Sequence, residues 1–308
     1  MCKFFGKKKT DPGVVILKQT KPGTCGGTDA TQDTRAPKEI RSEDMTLFSV
    51  ESSMGFVNQP DECPGYVHAF AAPAGGGAFL FYKVSSHPFD RRETPFTWAY
   101  VEGSVFPELV SLVRECGLAE KNGFHSRTHG LPEDFGGSVD IRYASGERIS
   151  YSDNQSPILI IPSAIRIRET FERFLTFAKI PLPEGSELRE VHFREDRKER
   201  GYTDAVLTFR PDGTGVNKKQ AKYEDPKVYE SEKEVDEETV ALVKRRISEC
   251  GMFAWEHLPV QPDPLGRDRK LTFVFENGRE ITVAGNPDLP DEIGRGFFDI
   301  ELEMTTKH

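Results

Sequence analysis

The sequence predicts an α+β fold of two repeated modules, each an antiparallel sheet with two helices covering one face. Two observations predict the repeat. Residues 270–286 (KLTFVFENGREITVAGN) have the pattern of a β-hairpin, and residues 138–154 (SVDIRYASGERISYSDN) match them without a gap. In addition, residues 115–117 and 249–251 both read Glu-Cys-Gly, at the end of a predicted helix that precedes each hairpin. The chain is therefore predicted to contain two modules of one architecture.

The turn residues predict the register of both hairpins. A three-residue loop that ends in Gly278, with this glycine in the left-handed conformation that it adopts freely, places the apolar residues of both strands on one face. A two-residue turn would divide them between opposite faces. Gly146 has the same role in the first hairpin. The predicted cross-strand pairs are Phe273 with Ile281, Leu271 with Val283, Ile141 with Ile149 and Val139 with Tyr151.

Alternation of apolar and other residues predicts the strands that open each module. Helices are predicted where apolar residues recur at helical spacing. The predicted strands outside the hairpins span residues 45–56, 66–71, 78–84, 95–101, 187–193, 202–209 and a charged segment within 220–229. The predicted helices span residues 107–116, 163–178, 236–250 and 290–304.

The chain is predicted to divide into a tail and the two modules. Residues 1–43 show no apolar periodicity and are predicted to be a disordered tail, because they cannot bury enough surface to offset the entropy of ordering. The first module spans residues 44–182 and the second spans residues 183–308. The boundary falls in the segment Pro-Leu-Pro-Glu-Gly at 181–185, which interrupts regular structure.

Composition narrows the classes of function. The chain has 308 residues, a formal net charge of -9 and a pI near 5.4, which argue against a nucleic-acid-binding surface. Its five cysteines are odd in number and widely spaced, without a CxxC pair, so reduced cytoplasmic thiols are expected. No segment is long and apolar enough to be predicted as a membrane span or signal peptide. A cytoplasmic protein without nucleic-acid or membrane partners is therefore expected.

The segment from His125 to His129 is the feature most similar to a metal site. On a helix, two histidines four residues apart share a face and can bind zinc. The surrounding glycines and proline instead predict a solvated loop, and Ser126 stands where the HExxH motif has glutamate. We therefore predict no metal and no cofactor, and we keep both histidines as binding candidates. The alternative is a metal-dependent enzyme that combines them with Glu133, Asp134 or Asp140.

Two further binding candidates, Trp255 and His257, lie in the second module. Trp255 is expected to anchor a core or an interface, since aromatic rings dominate burial. His257 aligns with His125 when the hairpins are superposed, and it aligns with Gly123 when the Glu-Cys-Gly motifs are superposed. A cleft between the modules that gathered His87, His125 and His257 would mark a site.

Motifs of nucleophilic or phosphate chemistry are not found in the sequence: it contains no GxSxG, P-loop or GxGxxG pattern. Cys116 and Cys250 each end an apolar helical stripe and are expected to be buried, inert thiols. The favoured function is a non-catalytic cytoplasmic binding or protein-interaction protein, which holds a protein partner or small ligand at the seam between the modules. Whether the protein is an enzyme stays open, and the lack of a catalytic motif favours a protein that is not an enzyme.

One ordered pattern runs through both halves. It consists of the helix that ends in Glu-Cys-Gly, an aromatic loop (KNGF at 121–124, AW at 254–255), and a strand, glycine turn and strand that end near Asn154 or Asn286. In this pattern, over about residues 44–304, the chain resembles uncharacterised duplicated α+β proteins of anaerobic bacteria. The resemblance implies the two-module fold, and its motif residues are structural. It implies no activity.

Overall fold

The computed structural model describes residues 13–20, 26–55, 63–87, 94–103, 105–131, 135–178, 187–224, 227–256, 258, 260–285 and 288–306. Over these residues the chain forms fifteen β-strands and four α-helices, with one nine-stranded and one six-stranded sheet. None of the helices in this part of the chain combines the length and the apolar character needed to cross a bilayer.

The nine-stranded sheet comes from the N-terminal half of the chain. Its strands are β1 (Val14–Lys18), β2 (Thr28–Asp33), β3 (Met45–Ser53), β4 (Tyr66–Ala74), β5 (Gly77–Ser85), β6 (Phe96–Glu102), β7 (Phe124–Thr128), β8 (Gly137–Tyr143) and β9 (Arg148–Asp153). They lie in the order β1-β2-β7-β9-β8-β3-β4-β5-β6. Helix α1 (Phe106–Glu115) precedes β7, and helix α2 (Ile161–Thr176) follows β9.

The six-stranded sheet comes from the C-terminal half. Its strands are β10 (Leu188–Asp196), β11 (Tyr202–Phe209), β12 (Gly215–Lys222), β13 (Val228–Val235), β14 (Asp268–Phe275) and β15 (Glu280–Ala284), in the order β13-β12-β11-β10-β14-β15. Helix α3 (Glu237–Glu249) separates β13 from β14, and helix α4 (Asp291–Thr305) follows β15.

The two sheets share an order of strands. Six adjacent strands of the larger sheet have the order β6-β5-β4-β3-β8-β9, and the smaller sheet has the order β13-β12-β11-β10-β14-β15. In both orders the first four strands along the chain lie side by side, and the hairpin is added next to the first of them. In both sheets a helix stands between the fourth strand of this set and the hairpin, and a second helix follows the hairpin. Strands β7, β2 and β1 extend the larger sheet beyond β9 and have no counterpart among the described residues of the smaller one.

The chain forms two compact units. The first comprises residues 1–71, 80–97 and 104–177, and the second comprises residues 72–79, 98–103 and 178–308. In the first unit, Phe171 of α2 is fully buried, with its ring centroid 5.7 Å from that of Phe48 on β3. In the second unit, Phe297 of α4 lies 6.3 Å from Phe193 of β10. In each unit, the helix that follows the hairpin thus packs against the first strand, in chain order, of the six that the two sheets share.

The hairpin predictions are confirmed. Phe273 pairs with Ile281 and Ile141 pairs with Ile149, as do the other predicted partners. The amide of Gly278 donates to the carbonyl of Phe275 at 3.0 Å, and its φ of 80° is in the left-handed region. The register follows from the turn because only this loop length aligns the apolar faces.

The predicted fold class is wrong. Instead of two α+β modules, in which two helices cover one face of each sheet, the described part of the chain is mostly β, with 43% of its residues in strands and 23% helical. The two sheets, with nine and six strands, are larger than predicted. The missed strands include β13, in which all residues except the last are exposed. A strand that is solvated on both faces lacks the alternation by which strands are recognised in a sequence.

The predicted disordered tail also needs correction. Within the described part of residues 1–43, strands β1 and β2 form an antiparallel pair at the edge of the large sheet. Strand β2 then pairs with β7, with Thr31 opposite His125. These strands were missed because β1 is apolar on both faces and β2 is polar on both, so neither alternates.

The four predicted helices are present, including α4, whose two glycines weaken helix propensity. Gly296 has a packing reason, since a Cβ atom there would lie 2.4 Å from the sulfur of Cys250 at the end of α3. Gly294 has no such reason, because a Cβ atom there would meet nothing within 4 Å.

Candidate functional site

His125 lies in a strand, β7, and not in the predicted loop, whereas His129 lies in the turn that directly follows this strand. Strand β7 lies antiparallel to β2 and parallel to β9. Side-chain amides hold it there. Asn154 accepts from the amide of Thr128 at 2.8 Å and donates to its carbonyl at 2.9 Å, while Asn122 accepts from the amide of Ser150 at 2.8 Å. These bonds continue the backbone ladder, so the glycine-rich flanks do not prevent the strand.

The strand geometry separates the two histidines. The extended chain from His125 to Thr128, with its rise of about 3.3 Å per residue, carries His129 away from His125. Each imidazole has its own partner: Nδ1 of His125 lies 3.0 Å from the hydroxyl of Ser152, and Nε2 of His129 lies 3.0 Å from the carboxylate of Asp29. Over the described ranges, no group of three or more His, Cys, Asp or Glu side chains is placed to hold a metal ion.

The surroundings of His125 and Asp29 lower the pKa of both side chains. Partial desolvation by the surrounding chain lowers the pKa of His125 although its side chain is exposed, and the nearby guanidinium of Arg148 lowers it further. The imidazole is therefore neutral near pH 7. Hydrogen bonds from the amide of Thr20 and from His129 hold the pKa of Asp29 below its usual value.

The other predicted site residues do not join this strand. Trp255 is 2% exposed, and its indole nitrogen donates to the carbonyl of Cys250 at 3.0 Å. Its prediction as a core anchor is confirmed, and its ring offers little surface to a ligand. Asp140 accepts from Arg148 at 2.7 Å and also contacts Arg142. His257, Glu133 and Asp134 lie outside the described residues, and with them the question of whether one cleft gathers His87, His125 and His257.

A row of polar side chains crosses the large sheet at the level of His125. Directly paired residues on neighbouring strands project from the same face, about 4.8 Å apart. The pairs connect six strands without a break, from β2 through β7, β9, β8 and β3 to β4. We call this the polar row, and its members are Thr31, His125, Ser152, Ser138, Glu51 and His68. It spans about 24 Å.

The polar row passes from solvent into the interior. His125 and Ser138 are exposed, whereas His68 is only 7% exposed. Near the buried end, Glu51 accepts from the hydroxyl of Tyr66 at 2.6 Å. Ser53 lies directly opposite Tyr66 and is also buried, and its hydroxyl has no hydrogen-bond partner among the residues that the structure describes. A buried titratable cluster therefore adjoins an open polar surface.

The pair of Ser152 and His125 has the residue types of a nucleophile and its base, but its setting differs from that of a catalytic pair. Nucleophilic catalysis also needs a group that orients the imidazole and donors that stabilise an oxyanion. No carboxylate hydrogen-bonds to His125 in the part of the chain that the structure describes. The pair is therefore suited to recognition through hydrogen bonds.

Sequence reasoning identified His125 but missed the polar row. The alternation of Ser138 and Asp140 with buried residues shows that β8 has a polar face. The partners on β3, β7 and β2 are distant in sequence, and their registers depend on tertiary pairing. Only the two members on the local β8–β9 hairpin, Ser138 and Ser152, could be assigned to a polar face from the sequence.

No protein-family model matches the chain, and no match was found among curated proteins. The resemblance to duplicated proteins of anaerobic bacteria therefore stays a prediction.

Proposed function

We propose that the protein is a non-catalytic binding protein and that the exposed part of the polar row, from His125 to Ser138, is its contact surface for a partner protein. The observation that carries the proposal is the unbroken row of directly paired polar residues, which is open to solvent at one end. Its members belong to strands far apart in sequence, and the backbone ladder fixes their spacing.

The side chains of the row suit contact with a protein surface. Ser138 and Ser152 are short, so a partner's backbone can approach the sheet closely, and each hydroxyl can donate and accept. The neutral imidazole of His125 adds a second such group. Protein interfaces contain about one hydrogen bond per 100–200 Å², and a standard interface covers about 800 Å² on each partner. A row about 24 Å long fits within such an area.

The charges beside the row support specificity more than non-specific attraction. Asp140 lies next to the row on β8 and is contacted by Arg142 and Arg148, so its charge is compensated. A compensated cluster at the edge of an interface selects partners by orientation and contributes little to affinity by itself.

The test uses a photoreactive amino acid placed singly at Ser138 or at Lys270 in the full chain. Lys270 is the matched control, because it pairs with β10 and β15 as Ser138 pairs with β3 and β9. The chain is irradiated in cells that natively produce the protein. We expect one defined protein adduct from position 138 and none from position 270. The absence of an adduct at 138, or the same adduct from both positions, contradicts the proposal.

A further inference from the structure

A cavity of about 500 Å³ lies in the second unit, beside the first turns of α4. Its apolar walls are Leu289, Phe297 and Phe298, and the ring of Phe298 is 53% exposed. The volume lies within the range of about 300–1,000 Å³ that small-molecule sites occupy. No residue that lines this cavity belongs to the polar row, so neither inference depends on the other.

A helical glycine opens onto the cavity. Gly294 lies in the first half of α4, where glycine destabilises a helix by about 0.5–1 kcal/mol relative to alanine. Gly296 must be glycine because of the sulfur of Cys250, but a Cβ atom on Gly294 would enter empty space. Glycine is the residue that allows a ligand to approach the backbone closely. A ligand in the cavity therefore explains why a residue that destabilises the helix stands at position 294.

One cation on the wall is available for a ligand. Arg269 is already bound, since it donates to Glu301 at 2.9 Å and to the carbonyl of Gly285 at 3.3 Å. Arg295 is exposed, and its side chain makes no hydrogen bond or ion pair with any residue that the structure describes. A guanidinium of this kind pairs with a planar carboxylate through two parallel hydrogen bonds.

The second charge on the wall limits the charge of the ligand. Asp291 stands one helical turn before Arg295 and forms no ion pair with it. Its carboxylate repels a second negative charge on the ligand, so a monoanion is favoured over a phosphate dianion. The positive end of the α4 dipole adds to the attraction for an anion.

We propose that this cavity binds a small monocarboxylate with an aromatic or similarly sized apolar body. The carboxylate pairs with Arg295, and the body lies against Phe297, Phe298 and the backbone of Gly294.

The test measures binding of three probes of one shape to the full-length protein by ligand-observed NMR. The probes are benzoate, neutral benzyl alcohol and cationic benzylamine. We expect benzoate to bind best and benzylamine worst. If benzoate does not bind at millimolar concentration, or if all three probes bind equally, the proposal is wrong.

Two variants place the binding in the cavity. Gly294→Leu fills the space and leaves the fold intact, since the helix gains a better helix former, so its melting temperature should not fall. It should abolish benzoate binding.

Arg295→Glu should weaken benzoate binding at least about tenfold by reversing the charge. The matched control is Arg279→Glu, the same charge change in the exposed β14–β15 turn, which should leave binding unchanged. Unchanged binding in Gly294→Leu, or equal losses in both arginine variants, contradicts the assignment.

Discussion

The two sheets carry different side chains at the same level. In the small sheet, the strands that correspond to β9, β8, β3 and β4 bear Ala284, Lys270, Arg194 and Asp204 where the large sheet bears Ser152, Ser138, Glu51 and His68. We call the row of the small sheet the charged row, and it continues through Gln220 to Glu230. The strand order is shared, but the chemistry is not.

Apart from Ala284, the charged row consists of polar side chains that pair with neighbours in water. Arg194, 63% exposed, lies 3.8 Å from Asp204, and Gln220 donates to Glu230 at 2.9 Å. Exposed pairs of this kind contribute little to stability, and they occupy the level of the sheet that short serines leave open in the polar row. The comparison teaches that strand order does not determine the use of a sheet face. The residues at matched positions do.

The largest difference between matched positions is expected at the two Glu-Cys-Gly motifs. Gly251 and Gly117 both have positive φ, but a Cβ atom on Gly251 would lie 2.4 Å from the ring of Trp98. At Gly117 it would meet the flexible carboxylate of Glu120 at 2.9 Å. Gly251→Ala should therefore destabilise by about 3 kcal/mol or more, and Gly117→Ala by about 1 kcal/mol. Denaturant titration measures both, and equal losses would mean that the Trp98 ring yields easily.

The next largest difference concerns Glu195 and Ser52, which occupy matched positions on β10 and β3. The side chain of Glu195 is 4% exposed and accepts from Arg197 at 2.7 Å, with Arg267 at 3.7 Å. Removing one partner of a buried ion pair costs about 3–5 kcal/mol, and because both arginines are partly exposed we expect about 2–3 kcal/mol for Glu195→Gln. Ser52→Ala should cost about 1 kcal/mol for its lost hydrogen bonds. A smaller loss at 195 than at 52 in chemical unfolding would reverse this ranking.

A smaller effect is expected at the β14–β15 turn. Gly278→Val forces a β-branched residue to positive φ and should destabilise by about 1–2 kcal/mol. Its neighbour Asn277 is exposed, so Asn277→Ala should cost under about 1 kcal/mol. Denaturant midpoints compare the two variants. Equal small losses would argue against the left-handed turn.

The smallest effect concerns the pH dependence of Glu147, in the turn of the β8–β9 hairpin. A hydrogen bond from the amide of Arg41 lowers the pKa of Glu147 most, and the amide of Ser42 adds to the effect. A carboxylate whose folded pKa is depressed stabilises the fold above its unfolded pKa, about 4.5, and this stabilisation is lost as pH falls through the folded value. Wild type should therefore melt above Glu147→Gln at pH 7, and the difference should vanish in acid. A difference that stays the same from pH 7 down into acid would contradict this account.

The sequence predicted local features correctly because nearby residues determine them. Gly278 and Gly146 determine the loop length and hence the hairpin register. The burial of Trp255 followed from its aromatic character. We propose that duplication of one unit explains why these local signals occur twice.

The remaining features depend on contacts that are not local. Strand β7 is held by the amides of Asn122 and Asn154, which a sequence does not assign to a particular partner. Strand β13 is almost fully exposed, so no apolar period reveals it. The polar row joins six strands whose registers become known only when the sheet is assembled, and so only one of its members, His125, was a candidate in the sequence.

Exchanging residues between the two rows tests the central claim most directly. Ser138→Lys gives the polar row the residue of the charged row, and Lys270→Ser makes the reverse change, both at exposed positions. The measurement is the amount of the cross-linked partner that co-purifies with each full-length variant, at equal melting temperatures. We predict that Ser138→Lys loses the partner and that Lys270→Ser retains it at the wild-type level. Retention by Ser138→Lys, or equal loss in both variants, would show that the polar row is not the contact surface.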